Sequence, residues 1–452
     1  MTTRHPAGII WSITIRKVPP LTNRRAFIIA LDILYGFNGI LMRCSRALLL
    51  LLGIVPLVVS LAAQAGTLVI NANASDPAPR AAWEALVAQF QREHSDVEVR
   101  LNIYDHESYK KSLRNWLTTA PPDVVFWFAG NRMRQLAGLG LFQDVSELFT
   151  DEVRRELHPS ALDLVSLRGK QYGLPYAYYP VGMFYRRDLM ETIGLQNGVT
   201  SWNELRESCG KLRSQGIDAI ALGSRDLWPT AAWFDYLNLR LNGLRFHMDL
   251  MEGRESYLDP RVKAVFARWR ELIEAQCFTT KHASASWQES QSLLYQGKAA
   301  MMLIGAYIIP NLPAAIRERM AFSAFPVLDH AVGHYEEAPM NSVHIPAGAR
   351  NKTDAIRLLK FLLRGDVQQS LNAQLMTIPV TLRARPPNDP LLREGQRVLA
   401  SAHGYSQFFD RDTSEELANI AMKGFQEFML NPARLDTVLT NIDQARKRIY
   451  RH

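Results

Sequence analysis

Cysteine is scarce, with three in 452 residues, at positions 44, 209 and 277. That excludes a disulfide-dense secreted scaffold and a thiolate zinc ribbon. Other absences narrow the function. There is no G-x-x-x-x-G-K-[ST] phosphate loop, no G-x-S-x-G nucleophile elbow and no H-E-x-x-H zinc helix. "AGLGLF" (137–142) lacks the spacing of a dinucleotide loop. The eleven histidines are scattered, an argument against a metal site. Acidic pairs such as Glu336–Glu337 are adjacent in sequence, which does not set two carboxylates across a glycosidic bond. Neither low complexity nor a solenoid-period repeat is present. No cofactor or metal is expected, and no catalytic residue is identified.

The folded part also lacks a basic excess, although the formal net charge is +8. Residues 1–65 carry seven Lys/Arg and one acid, leaving 45 basic against 43 acidic residues in the remainder. A nucleic-acid partner is therefore not expected. What stands at the N-terminus is "MRCSRALLLLLGIVPLVVSLAAQAG" (42–66): a short basic start, an apolar run broken by Pro56, then A-x-A. This is the pattern of a cleaved secretory signal, with the mature chain beginning near residue 66. An uncleaved anchor is the alternative, although the run is short for a span. Residues 1–41 read as an extension, with Met42 a candidate start. No cysteine closes the apolar run, so no lipid attachment is expected. In an oxidising compartment Cys209 and Cys277 either pair or remain as two buried thiols; their spacing leaves both open.

Along the mature chain, apolar runs at 66–73, 97–104 and 123–130 alternate with helical periodicity, predicting a β-α-β-α-β unit and a doubly wound, mostly parallel α/β sheet. Ligands sit beyond the carboxyl ends of such strands, which places 71–76 and 128–132 at a rim. A second unit follows. "SWNELRESCGKLRSQG" has Ser201 with Glu204 three residues on, a capping box. "IDAIALG" and "KAAMMLIGAY" read as buried strands, "WPTAAWFDYLNLRLNG" as a helix with Pro229 in its first turn, and "KTDAIRLLKFLLRGDVQQSLNAQ" as an amphipathic helix.

Between the units lies "YGLPYAYYPVGMFYRRDLM" (172–190), with five tyrosines in nineteen residues. A core prefers aliphatic side chains, because each buried phenol needs a partner. Rings with polar tips suit a wet, polar surface.

Taken in order, "PPDVVFWFAG", "GLGLFQDVSEL", "YGLP", "MFYRRDLMETIGL", "TSWNELRESCGKL" and "LLYQGKAAMMLIGAY" resemble the family 1 extracellular solute-binding proteins of bacterial sugar ABC transporters. The resemblance implies a two-lobe fold with hinge crossings: lobe one at 66–177 plus 323–376, lobe two at 178–322 plus 377–452. It implies a periplasmic monomer that closes about a sugar or sugar-like polyol and delivers it to permease subunits, without chemistry. Two other readings stay open: a secreted carbohydrate-active enzyme, and a ligand-sensing partner of a membrane receptor.

The expected ligand residues follow. Tyr178 and Tyr179 sit where 176–181 would cross between lobes. Trp228 precedes Pro229 at a helix start, as an aromatic-Pro pair does in relatives. Trp233 and Asp235 follow on that helix, with a solvated helix charge as the plainer account of Asp235. Tyr307 stands where relatives often carry Trp in a Gly-x-Trp pattern. Asn131 and Arg132 lie past a strand end, where capping or an ion pair is the alternative. Asn341 precedes a returning strand. Asp410 and Arg411 lie in an aromatic-rich loop, where a local Asp–Arg pair is the alternative.

Overall fold

Continuous apolar strands need cover on both faces, and they form the centres of two sheets. The computed structural model describes residues 66–450; the expected extension and signal, 1–65, lie outside the described residues. The first sheet has six strands, in the order Ile378–Pro379, Leu174–Tyr178, Met340–His344, Val124–Phe128, Leu68–Asn73, Val99–Tyr104. Every residue of Val124–Phe128 is buried. Leu68–Asn73 pairs in parallel with Val99–Tyr104 and Val124–Phe128. The other half is antiparallel, through Met340–His344 and Leu174–Tyr178. The mostly parallel sheet expected from local periodicity is thus a mixed one, because its second half comes from segments that return from far along the chain.

The second sheet runs Met320–Ser323, Val181–Arg186, Ala299–Gly305, Asp218–Ile220. Each sheet has its own apolar core. One gathers Leu68, Trp83, Phe90, Tyr109, Val124 and Leu358. The other gathers Phe184, Trp233, Phe266, Trp269, Met301 and Phe425. Consecutive strands Leu174–Tyr178 and Val181–Arg186 lie in different sheets, so the chain changes lobe at Tyr179–Pro180. Proline has no N–H to continue the ladder. A second change lies between Ala338, in the second core, and Met340, in the first.

The capping box is present: the Ser201 hydroxyl accepts from Glu204 N–H, and the Glu204 carboxylate accepts from Ser201 N–H. The Trp228–Met251 helix is buried along most of its length, with a break at Gly243, where φ is 75°. Its first residue is aimed by Leu227, a non-glycine at φ 67°, a conformation that costs about 1–3 kcal/mol. No helix among the described residues is long and apolar enough to cross a membrane.

Cys209 and Cys277 are bonded, across 68 residues of chain. The bridge joins the Trp202–Arg213 helix to the segment beside Asp218–Ile220. Closing a loop of that length removes unfolded-state entropy. Reduction is therefore expected to lower unfolding free energy by about 2–4 kcal/mol. Melting with and without dithiothreitol checks this, and a Cys209→Ser/Cys277→Ser protein should melt at the reduced value in both buffers.

Candidate functional site

The carboxyl ends of the parallel strands Leu68–Asn73 and Val124–Phe128, the start of Met340–His344 and the helix starts of the second lobe surround a cavity of about 160 Å³. One wall is aromatic. Rings follow one another edge-to-face or tilted: Phe408 to Trp228 at 5.8 Å, Trp228 to Trp287 at 6.1 Å, Trp287 to Tyr307 at 5.6 Å, and Tyr307 to Tyr179 at 5.1 Å. Trp228 and Trp287 are each the first residue of their helix. The Trp228 indole N–H has no partner among the described residues. Trp83 and Tyr176 form a second edge-to-face pair, 5.2 Å apart, in the opposite wall.

Close approach of backbone to ring fixes one glycine. A Cβ built on Gly305 lies 2.5 Å from Tyr307 Cε1 and 2.8 Å from Tyr179 Cε2. No side chain larger than hydrogen fits without moving both rings.

The polar groups come from both lobes. Arg411 is buried, with its guanidinium carbon 4.0 Å from the centre of the Phe128 ring. It donates to Tyr179 Oη at 2.9 Å and to Asn341 Oδ1 at 3.4 Å. Neighbouring Asp410 does not pair with it but with Lys110, Nζ to Oδ2 3.6 Å. Burial pushes the Asp410 carboxyl up, yet Lys110, Arg132 and Arg411 outweigh it and hold the group below its ordinary value. Burial takes the His106 imidazole down to about 3, so it lines the cavity as a neutral ring. Burial likewise raises the Tyr179 and Tyr307 phenols, which stay protonated donors.

Asp76 is the acid left over. It occupies the N-cap of the Pro77–Glu93 helix without capping it. An N-cap Asp ordinarily accepts from the first turn. Here the carboxylate lines the cavity instead, and burial raises its proton affinity. The cavity thus offers apolar ring faces, a carboxylate acceptor, and guanidinium, ammonium and phenol donors. That set suits a molecule with C–H faces and a hydroxyl rim.

Of the residues expected from sequence, Tyr179, Trp228, Tyr307, Asn341, Asp410 and Arg411 stand in the cavity wall. The other five stand elsewhere. Asn131 Nδ2 donates to Asp412 O, and Arg132 donates to Asp410 O at 3.0 Å and pairs with Glu415 at 3.7 Å. Both hold the Phe409–Asp412 turn from behind. Tyr178 packs against both cores, edge-on to His158. Trp233 is core, between Phe278 and Phe325. Five residues turn a helix by about 500°, so Trp233 points well away from Trp228. Asp235 is neither solvated nor in the cavity: it is fully buried, and its Oδ2 accepts from Phe409 N–H at 2.8 Å.

Sequence reasoning placed Asp76 on the rim and Tyr176 at the crossing without naming either as a ligand residue, and it missed Trp83, His106, Lys110, Trp287 and Phe408. Only Trp287 carried a local signal, an aromatic directly after the cap of a second Ser-x-x-Glu box.

Buried Asp412 gives a pH prediction. Burial, against its bond from Gln407 N–H, raises it to about 6. An acid raised on folding binds its proton more tightly when folded. Stability is therefore full below the unfolded value near 3.8 and falls as pH rises through about 6. Asp412→Asn is expected to remove that descending limb, read by melting between pH 4 and pH 7.

A family model for bacterial extracellular solute-binding proteins matches residues 73–369. An uncharacterised ABC transporter extracellular-binding protein of Pyrococcus horikoshii is 22% identical over 329 residues, 71% of this chain and 73% of that one. Among solved structures, the bacterial solute receptor AcbH, with an exclusive substrate preference for β-D-galactopyranose, is 26% identical. It aligns with a TM-score of 0.81 over 85% of this chain and 99% of its own. A chitin oligosaccharide binding protein, 17% identical, aligns with a TM-score of 0.77 over 84% and 98% and shares the fold. These are binding proteins, not enzymes.

Proposed function

The chain belongs to the bacterial extracellular solute-binding proteins, and we propose on that premise that it captures a neutral sugar of single-ring size between its lobes and presents it to an ABC importer. The observation that carries this reading is the chain of rings from Phe408 to Tyr179 facing Asp76 and Arg411. A ring covers the apolar face of a pyranose, while the carboxylate accepts from hydroxyls and the guanidinium donates to them. Size supports one ring: a cavity of about 150 Å³ holds a benzene molecule, and this one is about 160 Å³. The galactopyranose preference of AcbH points the same way.

Closure turns on the two passages where the chain changes sheet, Tyr179–Pro180 and 338–340. Hinge strands beside the ligand let one bound molecule draw both lobes together, and permease subunits read the closed form. The signal-like N-terminus supports a periplasmic location, and the near-neutral mature chain gives no pull toward nucleic acid.

Melting of the protein against mono-, di- and oligosaccharides and polyols tests the reading. A ligand at a hundredfold excess over its dissociation constant should stabilise by about 2.7 kcal/mol. A response to monosaccharides alone is the expected result, and silence across all sugars overturns it. Asp76→Asn is expected to weaken the responding sugar by about tenfold to a hundredfold through loss of charged hydrogen bonds, measured by calorimetric titration.

A further inference from the structure

Behind the cavity, on the buried face of the Trp228 helix, two carboxyls meet without a cation. Asp235 and Glu337 are both wholly buried, and they are neighbours where the Trp228 helix packs on the Tyr335–Glu337 strand. Asp235 Oδ2 accepts from Phe409 N–H. Its Oδ1 and both Glu337 oxygens have no donor among the described residues if both groups are ionised. A nitrogen of His247 lies 3.9 Å from Asp235 Oδ1, too far for a hydrogen bond, and burial holds that imidazole neutral, near 3.

The surrounding charges do not neutralise the pair. On the same helix Arg240 is bonded to Glu336, which the Tyr236 hydroxyl also reaches at 2.9 Å and the His334 ring nitrogen at 2.5 Å, so these groups are directed at Glu336 and not at the pair. Glu336 itself, on the strand Tyr335–Glu337, adds negative charge to Glu337. So do Asp412 and Asp410 from the Phe409–Asp412 turn, acting on Asp235. Arg411 of that turn is directed onto Phe128 and the Tyr179 hydroxyl, and the Tyr257 hydroxyl is a neutral phenol. Two adjacent carboxylates in so apolar a setting cannot both stay ionised. A proton held by one of them supplies the missing donor and bonds the other.

The pair joins three segments that each end in the cavity. Asp235 is on the helix that begins with Trp228. Glu337 precedes the strand bearing Asn341. Phe409, whose amide Asp235 caps, opens the turn bearing Asp410 and Arg411. We infer that Asp235 and Glu337, sharing one proton, are positioning residues that fix the Phe409–Asp412 turn, and that loss of this proton at rising pH frees the turn and weakens solute binding. The binding part rests on the cavity being the sugar site; the positioning part does not.

Asparagine at 235 keeps an acceptor for Phe409 N–H and gives Glu337 a permanent N–H donor, so it imitates the protonated pair. Glutamine at 337 does the same from the other side and serves if the first variant fails to fold. The first measurement is amide hydrogen exchange of 409–412 from pH 6 to pH 9, corrected for intrinsic rates. Protection in the wild type is expected to fall about tenfold for each pH unit past ionisation of the pair, while Asp235→Asn or Glu337→Gln stays flat. Equal profiles in wild type and variants overturn the inference. The second measurement is the dissociation constant of D-galactose over the same range. It should rise in the wild type and remain level in the variants. Galactose binding with one shared profile overturns the inference and leaves the sugar site standing. No galactose binding, with the exchange result obtained, leaves the positioning pair standing and counts against the sugar reading.

Discussion

Arg240→Met is expected to destabilise the protein by about 3–5 kcal/mol, the usual result of leaving one member of a buried ion pair alone. Arg240 and Glu336 are 3% and 0% exposed. The guanidinium bonds Glu336 Oε1 and the carbonyls of Tyr335 and Phe325, and lies against the Tyr236 and Phe325 rings. Glu336 sits on Tyr335–Glu337, the strand that pairs with Gly404–Ser406 just before the chain passes to the first lobe. Removing the cation leaves an interior carboxylate without its buried counter-charge, with the Tyr236 hydroxyl on one oxygen and the His334 ring nitrogen, 2.5 Å away, on the other. Arg240→Met/Glu336→Gln should recover most of the loss, because the desolvated charge goes with its partner. Urea unfolding of wild type, single and double variants checks both statements through the midpoint at constant slope. A single-variant cost under about 1 kcal/mol would mean that the pair behaves as a surface one.

How far such features can be read from sequence depends on whether the signal is local. The strands Leu68–Asn73 and Val124–Phe128, and the Ser201 capping box, are written in runs of a few residues, and so were legible. The antiparallel half of the first sheet was not. Met340–His344 and Ile378–Pro379 join partners some two hundred residues away, and nothing in their own periodicity says which sheet receives them. The site divides the same way. Trp228 is expected from the resemblance, through its aromatic-Pro pair, and it stands in the cavity wall. Asp235 was not, because a carboxylate on a helix reads as solvated until the Phe409 amide is placed over it. Lys110 belongs to the helix His106–Thr119, and nothing in that helix's own sequence singles it out. Its role comes from Asp410, three hundred residues on and 3.6 Å away. Asp76 reads only as part of the 71–76 rim, and the geometry adds that it stands at an N-cap it does not use.

The tyrosine-rich segment leads to the strongest expected effect on binding. Tyr176 and Tyr179 line the cavity while Tyr178 does not, because the chain leaves one sheet for the other at Tyr179–Pro180. Gly305 faces Val181 across the ladder, so the backbone there passes under the Tyr179 ring. In Gly305→Ala the new methyl meets Tyr307 Cε1 at 2.5 Å and Tyr179 Cε2 at 2.8 Å, contacts that real Cβ atoms do not make. Gly305 is held in the ladder opposite Val181, with the next amide, Ala306 N–H, bonded to Pro180 O, so the rings give way rather than the backbone. Displacing Tyr179 withdraws its hydroxyl from Arg411 Nη2, and Arg411 then loses its fixed position over Phe128. One methyl therefore disturbs two rings of the cavity wall and its guanidinium. Each hydrogen bond to a charged group is worth about 1.5–3 kcal/mol, so affinity for the responding sugar should fall by about a hundredfold. The fold should be less affected than binding, because both rings border the cavity at the edge of the second core; melting without ligand should shift by only a few degrees. Calorimetric titration beside melting separates the two effects. Unchanged affinity in a folded Gly305→Ala protein would place the solute away from the Tyr179–Tyr307 wall.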